Sequence, residues 1–343
     1  MKPKIIKKGD FSLWIEELIK HGPVVGVQEK EAGKFHFAGL TNAGSLRLDY
    51  DVTVTPPKKF VQPPKETLLK FNAAANKGEA VIEAGDLTVI GVHPYDMRAI
   101  NQMDKAFTDD NRDTNYLTRR ERVAIIGVDP MSASKWAFWG DMDSATVETG
   151  FDLWLTDIGD GYFVKIGTKK GEQLLKFAKT SNADDEAIAH KKDVQDNLAG
   201  LCKSERKLNA KGSALKPLFD SSYDNHIWEE RAEKCYSCGS CNLVCPTCYC
   251  FDVREEVDLD LKTGRRVRTW DGCLLEDFAS VGSGENFREE REERFRHRLL
   301  RKMTYMVDKI GETACVGCGR CSSVCLPDIT DPVKIINELK EGK

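Results

Sequence analysis

Eleven of the twelve cysteines in this 343-residue chain lie in one stretch, from Cys235 to Cys325. Two runs in this stretch share the spacing Cys-x2-Cys-x2-Cys-x3-Cys, and they begin eighty residues apart, at Cys235 and Cys315. A proline follows the first run directly, and in the second run it comes one place later, at Pro327. This spacing is typical of bacterial ferredoxins, whose cysteines bind 4Fe–4S clusters. Two runs therefore predict two clusters.

The ligands are expected to cross between the runs, because the fourth cysteine of such a run binds the other cluster in two-cluster ferredoxins. The small residues Gly239, Ser240, Gly317 and Gly319 suit the tight loops that this arrangement needs. The predicted ligands of cluster 1 are Cys235, Cys238, Cys241 and Cys325. The predicted ligands of cluster 2 are Cys315, Cys318, Cys321 and Cys245.

Four cysteines lie outside this ligand set. Cys248 and Cys250 follow the first run, Cys273 follows Trp270-Asp271-Gly272, and Cys202 is isolated. One interpretation makes Cys248, Cys250 and Cys273 small buried hydrophobic residues beside the clusters. Another makes them a third metal or cluster site, completed by Cys202 or an aspartate, and a redox or catalytic thiol is a further alternative.

Zinc offers an alternative to iron and sulfide, because it also binds Cys-x2-Cys pairs. A zinc-stapled scaffold would dock other subunits without carrying electrons. Zinc needs only four ligands, usually from two separated pairs. Repeated runs of four closely spaced cysteines therefore favour iron–sulfur clusters.

Composition excludes several classes of partner. The formal net charge is -4, so no basic excess indicates binding to nucleic acid. Aliphatic runs such as residues 123–128 are too short for a membrane span. The basic start, Met1–Lys8, is followed by Gly9 and Asp10 instead of an apolar segment, which argues against an ordinary secretory signal. We expect a cytoplasmic protein.

The chain divides by composition into two parts. Residues 1–225 contain one cysteine and predict a mixed α/β docking domain, with strands at 87–92 and 123–128 and a helix beginning at Pro94. Residues 226–343 predict a ferredoxin-like, largely helical domain with two 4Fe–4S clusters. That domain also carries an inserted hairpin, 253–270, and a charged helix, 285–310. The predicted fold class is α+β.

No sequence motif for substrate chemistry stands out. The chain has no Gly-x-Gly-x-x-Gly, no Walker A loop and no Gly-x-Ser-x-Gly elbow, and its six histidines form no ligand pair at helical spacing. We therefore predict no catalytic residue.

The stretch 235–253, together with Trp270–Cys273, resembles the iron–sulfur subunits of the anaerobic sulfite reductase A and sulfhydrogenase beta family. Segments 91–100, 119–121 and 150–155 fit the same pattern, so the resemblance covers nearly the whole chain. It implies a non-catalytic electron-transfer subunit of a cytoplasmic, multisubunit oxidoreductase of anaerobic metabolism.

The resemblance also implies partners. Single electrons would pass between a flavin subunit that handles NAD(P)H and a catalytic subunit in a hetero-oligomer. The catalytic subunit would be a hydrogenase, a sulfite reductase or a heterodisulfide-reductase-like protein. The alternative is a reductase with its own site at Cys248, Cys250 and Cys273.

The N-terminal half departs from the family pattern. The family tends to have cysteines where Tyr95 stands, around Asp129 and within the stretch matching residues 136–139, and here these positions carry no sulfur. A cluster held there in relatives would be lost from this chain. His93, Asp96 and Asp129 are an alternative metal site, but a polar cluster at the strand ends is the simpler interpretation.

Overall fold

The computed structural model describes residues 2–109 and 111–342. Helices and strands are mixed along the chain, so the predicted α+β class is confirmed. The strands are β1 (Lys4–Lys7), β2 (Val24–Glu31), β3 (Lys34–Gly39), β4 (Lys65–Asn72), β5 (Lys77–Ala80), β6 (Leu87–Val92), β7 (Val123–Val128), β8 (Leu153–Asp157), β9 (Gly161–Ile166), β10 (Ser181–Asn182), β11 (Phe251–Val257) and β12 (Thr263–Trp270).

Helices connect and flank these strands. They are α1 (Lys8–His21), α2 (Pro94–Thr108), α3 (Thr114–Arg122), α4 (Lys169–Leu175), α5 (Asp185–Asn197), α6 (Leu215–Ser221), α7 (Ile227–Glu233), α8 (Ser240–Leu243), α9 (Arg291–Leu300), α10 (Met306–Ile310), α11 (Arg320–Val324) and α12 (Pro332–Glu341). A π-helical turn, Arg301–Tyr305, joins α9 to α10.

A mixed sheet of eight strands forms the N-terminal part, in the order β10-β1-β9-β8-β7-β6-β2-β3. Its central strands β2, β6, β7 and β8 are parallel. Helices α1 and α4 cover one face and α2 covers the other. Burial on both faces explains the nearly continuous apolar runs of β6 and β7. The predicted strands at 87–92 and 123–128 and the helix beginning at Pro94 are confirmed.

A second sheet joins segments from the two sides of residue 225. It is antiparallel, in the order β11-β12-β4-β5, and β4 pairs with β12. Buried Glu66 strengthens the junction by accepting hydrogen bonds from Arg119 (2.7 Å) and Arg268 (2.6 Å). The division into residues 1–225 and 226–343 stays a prediction, but strands on its two sides pair with each other.

The cysteine-rich part packs around a helical core. Trp228, Phe295, Leu299 and Met303 are fully buried there, and Cys235 packs among them. The inserted hairpin is confirmed as β11 and β12. This core places both cysteine runs beside the helix α9 and the π turn that follows it.

The predicted start of the charged helix is wrong. The charged helix begins at Arg291 and not at residue 285, because Glu290 and Glu293 form a capping box at its start. Near this start, Arg294 donates to the backbone carbonyls of Arg288 and Glu289.

Candidate iron–sulfur sites

Both runs fold as a tight loop that leads into a short helix, α8 or α11. Each loop needs two residues in the left-handed region. These are Ser237 (φ 50°) and Gly239 (φ 70°) in the first run, and Gly317 (φ 66°) and Gly319 (φ 77°) in the second. Glycine adopts this conformation without strain, which explains three of the four residues. The two loops thus have matching backbones, as their matching spacing predicts.

The outer site is the group Cys235, Cys238, Cys241 and Cys325. These four residues line one cavity of about 200 Å³, several times the roughly 30 Å³ that one water molecule occupies. Cys325 comes from the second run, so the structure brings together the four residues of predicted cluster 1. Cys238 is exposed, and the neighbouring Tyr236 is 74% exposed.

The inner site is the group Cys245, Cys315, Cys318 and Cys321. Cys245 belongs to the first run, yet its thiol interacts electrostatically with Cys315 and Cys318 of the second. Cys321 interacts with the same two thiols. The structure therefore also brings together the four residues of predicted cluster 2.

Residues 136–139 of the N-terminal part cover the second run. Phe138 N–H donates to Gly317 O at 2.8 Å. A Cβ atom on Gly317 would lie 2.6 Å from the backbone of Trp139, and one on Gly319 would lie 2.5 Å from the backbone of Trp136. The second loop consequently has no room for larger residues at these positions.

An ion pair ties the second run to the same part of the fold. Arg320, fully buried, binds both carboxylate oxygens of Asp96 at 2.6 and 2.7 Å and the side chain of Thr53 at 2.8 Å. Such bidentate pairing also fixes orientation. The inner site is thereby held against the large sheet.

Buried cations lie beside the thiols. Lys302 Nζ donates to Cys245 Sγ at 3.1 Å and to Thr247 Oγ1 at 2.9 Å. Arg298 is 1% exposed, and its Nε and Nη1 have no hydrogen-bond partner among the described residues. Arg298 faces Cys241 of the outer site and Cys321 of the inner site. Unpaired buried cations are costly, so this environment fits anionic clusters.

The pKa values of the thiols reflect these surroundings. Burial raises the pKa of Cys241, Cys315 and Cys318 to about 12. Burial acts in the same direction on Cys245, but the Lys302 ammonium and Thr247 outweigh it and lower the pKa to about 7. Thiolates are the ligand form of cysteine, so Lys302 prepares Cys245 for ligation.

The third thiol group comprises Cys248, Cys250 and Cys273, the residues of the alternative third site. The side chains of Cys248 and Cys250 interact with each other, and Cys273 interacts electrostatically with both. Asn242 Nδ2 lies 3.3 Å from Cys273 Sγ and 4.0 Å from Cys248 Sγ. The structure therefore gathers all three cysteines.

Of the residues suggested to complete that third site, the cysteine lies apart from it and an aspartate lies beside it. Cys202 lines a separate cavity with Asp141 and Arg206, so the structure does not place it with the third thiol group. Asp271 does interact electrostatically with Cys248, and burial raises the pKa of Asp271.

Sequence reasoning missed the cations Lys58, Arg298 and Lys302. Lys58 is buried; its Nζ donates to Cys248 O and lies 4.2 Å from the centre of the Trp270 ring. One signal was available, because Arg294, Arg298 and Lys302 recur at a spacing of four and therefore share one helical face. Tyr236 and Leu243 of the first run are exposed.

The three residues of the alternative metal site in the N-terminal part each interact with other partners. Asp96 pairs with Arg320. Asp129 accepts hydrogen bonds from Trp154 (2.8 Å), Thr156 (2.6 Å) and Gln195 (3.0 Å). His93 stacks on Tyr50 at 4.0 Å and its Nδ1 lies 2.8 Å from Tyr95 Oη.

Aromatic rings fill the places where the family tends to have cysteines. Tyr95 and Trp139 are each 1% exposed, and they stack at 6.3 Å within one core cluster. Across residues 2–109 and 111–342, no three His, Cys, Asp or Glu side chains are placed to hold a single metal ion. Within the same ranges, no helix combines the length and the apolar character that a membrane crossing requires.

Comparisons with known proteins agree with this geometry. The family model of the 4Fe–4S dicluster domain matches residues 234–329, which contain both runs. Sulfhydrogenase 2 subunit beta of Pyrococcus furiosus is 31% identical over 324 residues, which are 94% of this chain and 92% of that protein. The resemblance drawn from the sequence is thereby confirmed. The chain belongs to the family of iron–sulfur subunits that includes the sulfhydrogenase beta subunits.

Proposed function

We propose that this chain transfers electrons as the iron–sulfur subunit of a multisubunit, sulfhydrogenase-type oxidoreductase. The observation that carries the proposal is the outer cavity, where Cys325 of the second run joins three cysteines of the first. This crossed arrangement suits a pair of neighbouring 4Fe–4S clusters, which supply one-electron transfer when bound.

The proposed ligands are those of the two sites. Cys235, Cys238, Cys241 and Cys325 would hold one cluster, and Cys245, Cys315, Cys318 and Cys321 the other. Around them, Val316 at 2% exposure excludes water from the inner site, and the guanidinium of Arg298 lies between cysteines of both sites. Hydrogen bonds and burial are the means by which proteins tune such clusters.

The outer site is the proposed exit toward a redox partner. Tyr236 and Leu326 are 74% and 91% exposed beside its cavity, and Cys238 is itself exposed. The partners that we propose are a flavin subunit that handles NAD(P)H and a catalytic redox subunit, in a cytoplasmic hetero-oligomer. The relative from Pyrococcus furiosus is named as one subunit of a sulfhydrogenase, which supports an assembly of this kind.

Metal analysis tests the proposal. After anaerobic purification, we expect at least about eight irons per chain with matching acid-labile sulfide, four for each 4Fe–4S cluster. The protein should be brown. Zinc in place of iron would contradict electron transfer and leave the zinc-stapled scaffold.

Two further measurements test the role of the chain as a carrier. Anaerobic native extracts should yield the chain in a complex that contains flavin, and a monodisperse monomer would contradict the proposed assembly. Turnover of a small oxidant by the isolated chain, with an artificial electron donor, would instead favour a reductase with its own site at the third thiol group.

A further inference from the structure

The third thiol group lies at the junction of segments that are distant in sequence. Cys248 and Cys250 stand on the loop after the first run, and Cys273 follows β12. Backbone contacts hold this loop: Asp271 N–H donates to Cys250 O at 3.1 Å, and Gln62 Nε2 donates to Tyr249 O at 3.2 Å. The three thiols are therefore positioned by the fold and not by spacing within one run.

Cations lie beside this group, in which two of the three thiols are buried. Cys248 and Cys273 are 4% and 3% exposed. Lys58 faces Cys248, Cys245 of the inner site and Cys250, and Arg301 faces Cys250, Cys248 and Cys273. The groups that most favour the charged forms of these two cations are thiols, together with Tyr249 beside Arg301.

Two clusters do not account for all of this positive charge. Arg298 and Lys302 face thiols of the outer and inner sites, above all Cys241 and Cys245. Arg301 faces the third thiol group first, and Lys58 faces Cys248 of that group and then Cys245 of the inner site. A buried charge without a counter-charge is strongly unfavourable, so Arg301 and Lys58 favour an anionic group at this place.

Hydrogen-bond donors also lie beside this region. Asn242 Nδ2 lies 3.3 Å from Cys273 Sγ. Arg298, which also faces Cys273, has two buried nitrogen atoms with no hydrogen-bond partner among the described residues. Hydrogen bonds from protein groups to cluster sulfurs are a common feature of iron–sulfur sites. Arg298 thus offers donors that no protein atom uses in the part of the chain that the structure describes.

We propose that Cys248, Cys250 and Cys273 bind a third iron–sulfur cluster through their three thiolates. Such a cluster goes beyond the two-cluster relay, although it rests on the same iron–sulfur chemistry. Three thiolates suit a 3Fe–4S cluster, or a 4Fe–4S cluster in which one iron has a ligand other than cysteine. The place adjoins the inner site, because Lys302 faces both Cys245 and Cys248.

The wild-type chain provides the first test. With three clusters, anaerobically purified protein should contain about eleven or twelve irons with matching sulfide, whereas two 4Fe–4S clusters give about eight. Mössbauer spectroscopy then counts the cluster types and separates a 3Fe–4S from a 4Fe–4S cluster. This measurement needs no variant and therefore does not depend on whether a variant folds.

Variants locate the additional iron. Cys248→Ser, Cys250→Ser and Cys273→Ser should each lose about three or four irons and keep the remaining eight. Cys202→Ser is the matched control and should lose none, because Cys202 lies in a separate cavity.

The outcomes separate the third cluster from the proposed function. About eight irons in the wild type, unchanged in the three variants, would overturn the third cluster and leave the two-cluster relay intact. Zinc bound in the third group beside eight irons, or a Cys248–Cys250 disulfide detected by mass spectrometry, would overturn it as well. Fewer than eight irons would argue against both.

Discussion

The outer and inner sites have the same cysteine spacing but very different surroundings. At the position after the first cysteine, the outer run has Tyr236, 74% exposed, and the inner run has Val316, 2% exposed. The outer rim opens to solvent, whereas residues 136–139 cover the inner loop. Spacing thus predicts which residues can bind a cluster, while the surrounding fold determines how exposed each site is to water and to partners.

The contrast originates in different residues at matching positions of the two runs. Arg320 of the second run corresponds to Ser240 of the first. Arg320 reaches Asp96 and Thr53 in the N-terminal part, whereas the Ser240 side chain accepts a local contact from Cys238 at 3.4 Å. One run is therefore anchored to the large sheet and the other is left at the surface.

Removing one ligand from each site should have the largest effect. Cys238→Ser and Cys318→Ser should each lose about four irons. Because metal binding contributes to folding stability, both should unfold at a lower temperature. The decrease should be larger for Cys318→Ser, because its loop packs under the N-terminal part. Anaerobic iron analysis and thermal unfolding measure the two effects.

Cys325→Ser serves as the control for crossed ligation. Its electron paramagnetic resonance spectrum should match that of Cys238→Ser, because the structure places both residues in the outer cavity. A spectrum matching that of Cys318→Ser would mean that each run binds its own cluster.

Exchanging the left-handed residues between the loops should have the next largest effect. Gly317→Ser places a Cβ 2.6 Å from the backbone of Trp139, and we expect a loss of about 3 kcal/mol from left-handed strain and overpacking. The reciprocal change, Ser237→Gly, should stabilise the chain by up to about 1 kcal/mol, because it relieves the strain of a left-handed serine. Anaerobic urea unfolding of both variants would measure the two changes in the free energy of unfolding. Changes of equal size and opposite sign would mean that the inner loop is not confined.

The two cysteine sites could be predicted from sequence because their signal is local. Ligand spacing, the strand β6 with the helix α2, and the hairpin of β11 and β12 all depend on neighbouring residues. The second sheet could not be predicted, since β4 and β12 are far apart in sequence and strand pairing at that distance leaves no local pattern. The sequence therefore predicts residues 1–225 as a separate domain, although β4 of this segment pairs with β12.

The cations around the thiols were missed for a related reason. The sequence predicts a charged helix over 285–310 but no buried charge on it, because a charged residue is normally solvated. Arg298 and Lys302 are both buried, at 1% and 6% exposure. These cations are buried beside thiols. The contact between Lys302 and Cys245 cannot be predicted from sequence, because the two residues are far apart in the chain.

Truncating the matching residues Val316 and Tyr236 tests the difference in burial. Val316→Ala should cost about 2 kcal/mol, in line with the value of fully burying such a side chain. Tyr236→Ala should change the free energy of unfolding by less than about 0.5 kcal/mol, as is usual for surface positions. Urea unfolding under anaerobic conditions distinguishes them. A large loss for Tyr236→Ala would show that the outer rim is packed.

The smallest expected effect concerns the charge beside the inner site. Lys302→Met removes the ammonium that contacts Cys245 Sγ at 3.1 Å. A nearby cation stabilises the reduced, more negative state of a cluster, so its removal should lower the inner reduction potential. We expect a fall on the order of 59 mV, one factor of ten for a one-electron couple, and a smaller change at the outer site. Redox titration followed by electron paramagnetic resonance measures both potentials.

Lys309→Met is the matched control, because Lys309 is 44% exposed and pairs with Asp109. Equal shifts in the two variants would mean that overall charge, and not the contact with Cys245, sets the inner potential.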